Sequence, residues 1–251
     1  MKTVFVKTEN VKRLMLALSA LEERGADEAC LMVVDGLPGL GKTEATSWMA
    51  TDNDTIFLRA KREWTPNWML KELLEPFKVI PGRSFEAKYA QALEALSERA
   101  RLAQENGEMF AVIIDEVDYI SRSDKMLSTV RDLSDFLEIP FILVGMGRVR
   151  TNLKRFPQIT SRVGQYVEFL PLSRSDVAAM ANGLSEVAIR DDLIDLIHRH
   201  SHGYAREIKE ALAHVERHAK RQGVTEIGAA DMAGQTLLND RATSKPIVVR
   251  V

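Results

Sequence analysis

The eight residues 36–43, Gly36-Leu37-Pro38-Gly39-Leu40-Gly41-Lys42-Thr43, constrain this chain of 251 residues more than any other stretch. They spell G-x-x-x-x-G-K-[ST], follow the apolar run 30–34 (CLMVV) and lead into a helical pattern that begins near Lys42. Glycines at these positions let successive backbone N–H groups converge on one anion, and the start of the helix adds its partial positive charge at the same place. A lysine there spans the β and γ phosphates of a nucleoside triphosphate, and Thr43 is placed to ligate Mg2+. All eight residues are therefore expected to hold ATP, with Mg2+ as its companion ion. Strand, loop and helix in that succession commit the first part of the chain to a strand-loop-helix unit.

Further apolar runs at 55–58 (TIFL), 109–114 (MFAVII) and 141–144 (FILV) read as strands, and a fifth is expected at 165–169. Their continuous rather than alternating apolar character predicts a parallel sheet buried on both faces. Helical patterns separate them, at 84–104 with Ala90, Leu93, Leu96 and Ala100 on one stripe, and at 125–137. Another, at 10–23, carries Val11, Leu14, Leu18 and Leu21 and precedes the first strand. This alternation implies an α/β core with right-handed crossovers and helices on both faces. Past Ser173 the pattern changes, and helices are expected at 175–183, 191–200, 204–222 and 227–238, which makes a small all-helical domain. Leu170-Pro171 marks the junction, because proline disfavours continuing the preceding element and Ser173 or Ser175 supplies a new N-cap. The expected division is an ATP-binding α/β domain over 1–171, a helical domain over 172–242, and a tail over 243–251 that is either a loose end or an added strand.

The run 111–116 ends an apolar strand in Asp115-Glu116. Asp115 is placed to hold the shell of the Mg2+, and Glu116 to polarise a water for in-line attack on the γ-phosphate. Acids at strand ends also cap turns, so the pair takes this meaning from the phosphate loop upstream. A water-activating glutamate favours hydrolysis of ATP over transfer to a substrate. With a fourth strand, Ser161-Arg162 ahead of the fifth, and a helical C-terminal region, these motifs resemble those of the AAA+ ATPases over almost the whole length. The resemblance implies a P-loop NTPase fold with a helical lid and Arg162 as an arginine finger on the γ-phosphate of a neighbouring subunit. It also makes Arg206, in Gly203-Tyr204-Ala205-Arg206, a sensor-2 residue; the alternative is a helix-start arginine pairing with Glu210 at i+4. One turn departs from the family pattern: Gly145-Met146-Gly147, after the fourth strand, has no polar side chain to orient the attacking water. Either Asn152 or a backbone group substitutes, or hydrolysis is slow until a partner stimulates it.

Within that superfamily, the segment 5–11, the short helix before the phosphate loop and the Val144-Gly145-Met146 turn are most similar to the transposition ATPases of the phage Mu B protein type. This resemblance implies ATP-dependent assembly of a homo-oligomer, a ring or a helical filament, on double-stranded DNA, and target-selecting regulation of a DNA transposase. Two other readings stay open: a helicase loader or replication initiator of the same fold, and a nucleotide-gated scaffold whose partners are proteins alone.

A net charge of −2, from 34 basic and 36 acidic residues, provides no whole-chain attraction to nucleic acid, so any DNA surface has to be local. Arg59, Lys61 and Arg62, with Thr65, follow the second strand, where the resemblance puts backbone-contacting loops. Between Glu138 and Glu168 no acid interrupts Arg148, Arg150, Lys154, Arg155 and Arg162. Arg148, Arg150 and Lys154 serve either DNA phosphates or subunit contacts. Both segments suit phosphate tracking without sequence readout. Trp64 and Trp68 are expected in helix packing, since a duplex offers no unstacked bases. The single thiol, Cys30, excludes an internal disulfide and is expected to be buried and inert. His198, His200 and His202 read as structural or surface groups at a helix end. No apolar run approaches the roughly 20 residues of a membrane helix, and the N-terminus lacks an apolar signal core, so no membrane partner and a cytoplasmic location are expected.

Overall fold

A computed structural model describes residues 1–52 and 54–250; Asn53, and Val251 at the end of the expected tail, lie outside the described residues. In chain order the larger elements are α1 (Glu9–Glu22), β1 (Leu31–Gly36), α2 (Lys42–Asp52), β2 (Asp54–Arg59), α3 (Pro66–Leu74), α4 (Phe85–Asn106), β3 (Phe110–Asp115), α5 (Asp124–Leu137) and β4 (Phe141–Val144). They are followed by α6 (Val149–Leu153), α7 (Pro157–Thr160), β5 (Val163–Phe169), α8 (Arg174–Leu184), β6 (Ala188–Ile189), α9 (Asp191–Ser201) and α10 (Ala205–Gln222). Three short strands come last: β7 (Glu226–Ile227), β8 (Thr236–Asn239) and β9 (Pro246–Val248).

The contacts divide the chain into two compact units. One comprises Arg13–Leu37 and Lys42–Glu168. Its five-stranded sheet has the order β2-β3-β4-β1-β5, and the pairings β1 with β4, β2 with β3, and β3 with β4 are all parallel. Every residue of β3 and β4 is buried, which is why these strands read as unbroken apolar runs. The register sets Arg59 against Asp115 and Val34 against Val144. The strands therefore finish together, and the residues that follow them gather at one end of the sheet. Leu70, Leu73, Leu96, Val130 and Leu133 of the surrounding helices are buried in the same core. Each such side chain contributes on the order of 2 kcal/mol on burial. The helices start where side chains satisfy their first N–H groups: Thr65 accepts from Trp68, Ser84 from Ala87 and Ser123 from Met126. Each cap is worth about 1 kcal/mol.

The other unit comprises Met1–Lys12, Pro38–Gly41 and Phe169–Val251. Three helices, α8, α9 and α10, bury Val177, Ile194, Ile197, Ile208, Leu212 and Val215 together. A capping box formed by Ser173 and Asp176 starts α8. This unit is not all-helical, and the helix expected over 227–238 does not form. The segment is instead β7, a 3-10 turn over Ala230–Met232, and β8. Gly234 adopts a left-handed backbone, φ 75°, which interrupts any helix there. Asp231 accepts from the Gly228 N–H and from Arg190, fixing the turn. Strand β7 pairs in parallel with β6, and β9, within the tail, pairs antiparallel with β8. Among the described residues no helix is long and apolar enough to cross a membrane.

Candidate nucleotide site

At the end of β1 the backbone of Gly36 takes φ 149° and its N–H donates to Asp35 Oδ1 at 2.8 Å. Lys42, 7% exposed at the start of α2, folds back so that its Nζ donates to the carbonyls of Gly36 at 2.6 Å and Leu37 at 2.9 Å. Burial lowers the pKa of the Lys42 ammonium, while the carboxylates of Asp35, Asp115, Asp118 and Glu116 act to raise it. Burying a cation is costly unless hydrogen-bond acceptors and anionic groups face it, and here the two loop carbonyls and the nearby carboxylates do so.

Next to it, Thr43 Oγ1 donates to Asp115 Oδ2 at 2.9 Å, across 72 residues of sequence. The hydroxyl and the carboxylate that the sequence assigns to one metal are thus in direct contact. Asp115 is buried, and its Oδ1 accepts the N–H of Glu116 at 2.8 Å. Glu116 itself has a left-handed backbone, φ 60°, at the start of the 3-10 turn Val117–Tyr119. For a non-glycine residue this conformation costs about 1 kcal/mol or more. Such strain often accompanies a side chain held for chemistry.

Two acids that the sequence reading did not single out belong to this end of the sheet. Asp35 accepts from Gly36, from the N–H of Gly147 and, at 3.4 Å, from that of Arg150. Asp118 Oδ2 accepts the Met146 N–H at 2.6 Å, and burial raises its carboxyl above the usual range. A Cβ on Gly145 would stand 2.7 Å from that oxygen and 2.0 Å from Val149 Cγ2, so glycine is required after β4. The place where a polar side chain was missing from the sequence is therefore lined by the Asp118 carboxylate. Asn152, one expected substitute, is buried and donates to Ser121 Oγ at 2.8 Å. The spacing of Asp118, three after Asp115, was the available signal.

The tip of the phosphate loop belongs to the other unit. Gly39 and Gly41 have φ 91° and 89°, and Leu40 is buried. The Gly39 carbonyl accepts the backbone N–H of Arg206 at 3.2 Å, and the Pro38 carbonyl accepts Arg241 Nη2 at 2.9 Å. The Arg206 side chain is exposed.

Arg162 donates through Nε to Asp135 Oδ2 at 2.8 Å and through Nη1 to Ser161 at 3.3 Å. Both partners of its guanidinium are thus residues of its own chain. The basic segments are less uniform than their sequence suggests. Arg59 Nη2 stands 3.8 Å from Asp115 Oδ2, a consequence of the β2 and β3 register. Lys61 pairs with Glu72 and lies 5.2 Å from the centre of the Trp68 ring, and Thr65 serves as the α3 cap. Trp64 is buried as expected, whereas Trp68 is 40% exposed. Arg150 stacks its guanidinium 4.8 Å above the Tyr166 ring. Arg62, Arg148 and Lys154 are exposed. Cys30 is fully buried and donates to the Asp27 carbonyl, and burial pushes its thiol up.

A family model described as an AAA domain matches residues 26–153, which spans the phosphate loop and the Asp115-Glu116 strand. Among curated proteins none matches the chain. Among solved structures, the Aeropyrum pernix ORC2 protein in its ADPNP-ADP complexes is similar at 16% identity and TM-score 0.62, over 90% of this chain and 67% of that one. The Aeropyrum pernix ORC1 protein in complex with DNA is similar at 16% identity and TM-score 0.60, over 90% and 63%. The Thermotoga maritima RuvB Holliday junction branch migration motor is similar at 22% identity and TM-score 0.57, over 90% and 67%. The chain thus spans about two thirds of the length of these structures, and the likeness is one of fold.

Proposed function

Because the chain belongs to the AAA domain family, we propose that it is an ATPase that binds ATP with Mg2+, assembles on double-stranded DNA in the ATP state, and releases DNA after hydrolysis. The observation that carries the ATP-binding part of this reading is the buried Lys42 on the phosphate loop beside the 2.9 Å contact of Thr43 with Asp115. Those residues fit the cofactor: a phosphate chain meets the ammonium, and the Thr43 hydroxyl with the Asp115 carboxylate is the donor pair of a hard divalent cation. When bound, Mg2+ supplies positive charge against the phosphate oxygens. Lys42 and the amides of residues 39–43 bind and orient the phosphates, while Glu116 holds the attacking water and takes its proton. Arg206 senses the nucleotide from its own chain, and Arg162 exchanges Asp135 for the γ-phosphate of a neighbouring protomer once protomers assemble.

Arg62, Arg148 and Lys154 stand exposed and carry the DNA backbone contacts, with Arg59, Lys61 and Arg150 joining them on release from Asp115, Glu72 and Tyr166. The physiological role proposed for this switch is delivery of target DNA to a DNA transposase, supported by the Mu B-like features at 5–11 and at the turn after β4. A second reading is supported by the likeness to ORC proteins, one of them solved with DNA: a replication initiator or helicase loader. Negative-stain imaging and phosphate release with and without duplex test the shared part of the proposal. ATP-dependent assemblies on duplex with stimulated turnover are expected; monomers in every nucleotide state overturn it. Stimulation by a transposase selects the first role, and capture of a ring helicase with preference for single strands selects the second.

A further inference from the structure

Two carbonyls at the tip of the phosphate loop are held by donors from elsewhere in their own unit. The Gly39 carbonyl accepts the Arg206 backbone N–H, and the Pro38 carbonyl accepts Arg241 Nη2 at 2.9 Å, from a residue 203 positions away. In a planar trans peptide the C=O of one residue and the N–H of the next point in opposite directions. A donor fixed on the Pro38 carbonyl therefore fixes the direction of the Gly39 N–H, and one on the Gly39 carbonyl fixes that of Leu40. Loops of this kind bind phosphate through those N–H groups. Both glycines of the tip have positive φ, which glycine adopts without a Cβ penalty, so these peptides have wide rotational freedom and a bond from outside the loop narrows it.

Arg241 is built into place. It lies in the turn between β8 and β9, where Asp240 Oδ1 accepts the N–H groups of Ala242 at 3.1 Å and Thr243 at 2.7 Å. Leu237 and Leu238 anchor the preceding strand in the core. The guanidinium lies 4.1 Å above the Tyr204 ring and 3.4 Å from Glu207 Oε1, so its planar face and one edge are engaged. A Cβ on Gly39 would stand 3.0 Å from Arg241 Nη1 and 3.5 Å from Tyr204 Cδ1, which shows how closely the turn sits on the loop.

We infer that Arg241 is a positioning residue for the nucleotide site: by holding the Pro38 carbonyl it aims the Gly39 N–H at the phosphates, so the β8–β9 hairpin sets phosphate affinity. This inference rests on the nucleotide-binding reading of residues 36–43. The test measures the affinity of a fluorescent ATP analogue for the unaltered protein and for Arg241→Ala, Arg241→Lys and Lys42→Ala, together with each nucleotide-free melting temperature. Arg241→Ala is expected to bind about tenfold more weakly, one bond's worth of orientation, with a melting temperature lowered by no more than roughly 4 °C. Arg241→Lys, which returns a donor, recovers most of the loss. Unchanged affinity in Arg241→Ala while Lys42→Ala fails to bind overturns the inference and leaves the site reading standing. Loss of affinity with a matching fall in melting temperature and no recovery by lysine also overturns it, because the role is then general stability. If the unaltered protein binds no analogue, the site reading itself falls and this inference with it.

Discussion

The acids at the ends of β1 and β3 and the bases of segments 59–65 and 148–154 are both charged clusters, yet they are built in opposite ways. Asp35, Asp115 and Asp118 each accept hydrogen bonds from backbone or hydroxyl donors, and Lys42 beside them is buried on carbonyls of its own loop. In the basic segments, Arg62, Arg148 and Lys154 are exposed. Position at the acidic end is fixed by strand register and short contacts, which suits chemistry on one bound molecule. The exposure of these three basic side chains suits a polyanion tracked without regard to sequence. Some bases cross over: Arg59 stands against Asp115, so its first role is within the acidic cluster.

The largest expected effect comes from removing the central charge. Lys42→Ala should lower ATP affinity more than a hundredfold, a loss of about 3 kcal/mol, measured by equilibrium binding of a labelled nucleotide; near-normal affinity would remove the acidic end from the nucleotide site. Glu116→Gln comes next: ATP binding persists while steady-state phosphate release falls by about 10² or more. Rapid release from this variant would show that another group, such as the Asp118 carboxylate beside the turn after β4, activates the water.

Predictions on the basic side are smaller and have a different signature. Replacing Arg62, Arg148 or Lys154 by alanine should leave ATP affinity unchanged and reduce the slope of log affinity for duplex against log salt by about 0.9 for each lost phosphate contact. If one of these changes altered ATP binding instead, the separation between the two clusters would be lost. The smallest effect is local: Thr65→Ala removes the α3 cap and should cost about 1 kcal/mol, a fall in melting temperature of roughly 2–4 °C for a chain of this size, with duplex affinity at fixed salt retained. A fall in that affinity would make Thr65 a DNA contact as well as a cap.

What could be read from the sequence follows from how each feature is made. Strands β1 to β4 are continuous apolar runs because both faces of the sheet are covered, and the phosphate loop is legible because its glycines and its Lys-Thr pair serve one local geometry. Strands β6 to β9 are two to four residues long, too short for periodicity, and 227–238 imitates a helix until Gly234 breaks it. The place of Asp118 in the site is hard to see in the sequence because its partner, the Met146 N–H, is 28 residues away and is a backbone group. Arg241 carries no motif at all; its role appears only when the β8–β9 turn is folded against Pro38. The Arg59 contact with Asp115 is a register effect, invisible until β2 is paired with β3. Trp68 was expected in packing, but its ring is left half-open beneath Lys61.

The most direct measurement is fluorescence anisotropy of a labelled random-sequence duplex titrated with the protein in ATP, in ADP and without nucleotide, each across a salt series. Tight binding in ATP alone, weakening steeply as salt rises, is the predicted result. Binding of equal strength in all three states, or in none, would contradict a nucleotide-switched hold on the DNA backbone.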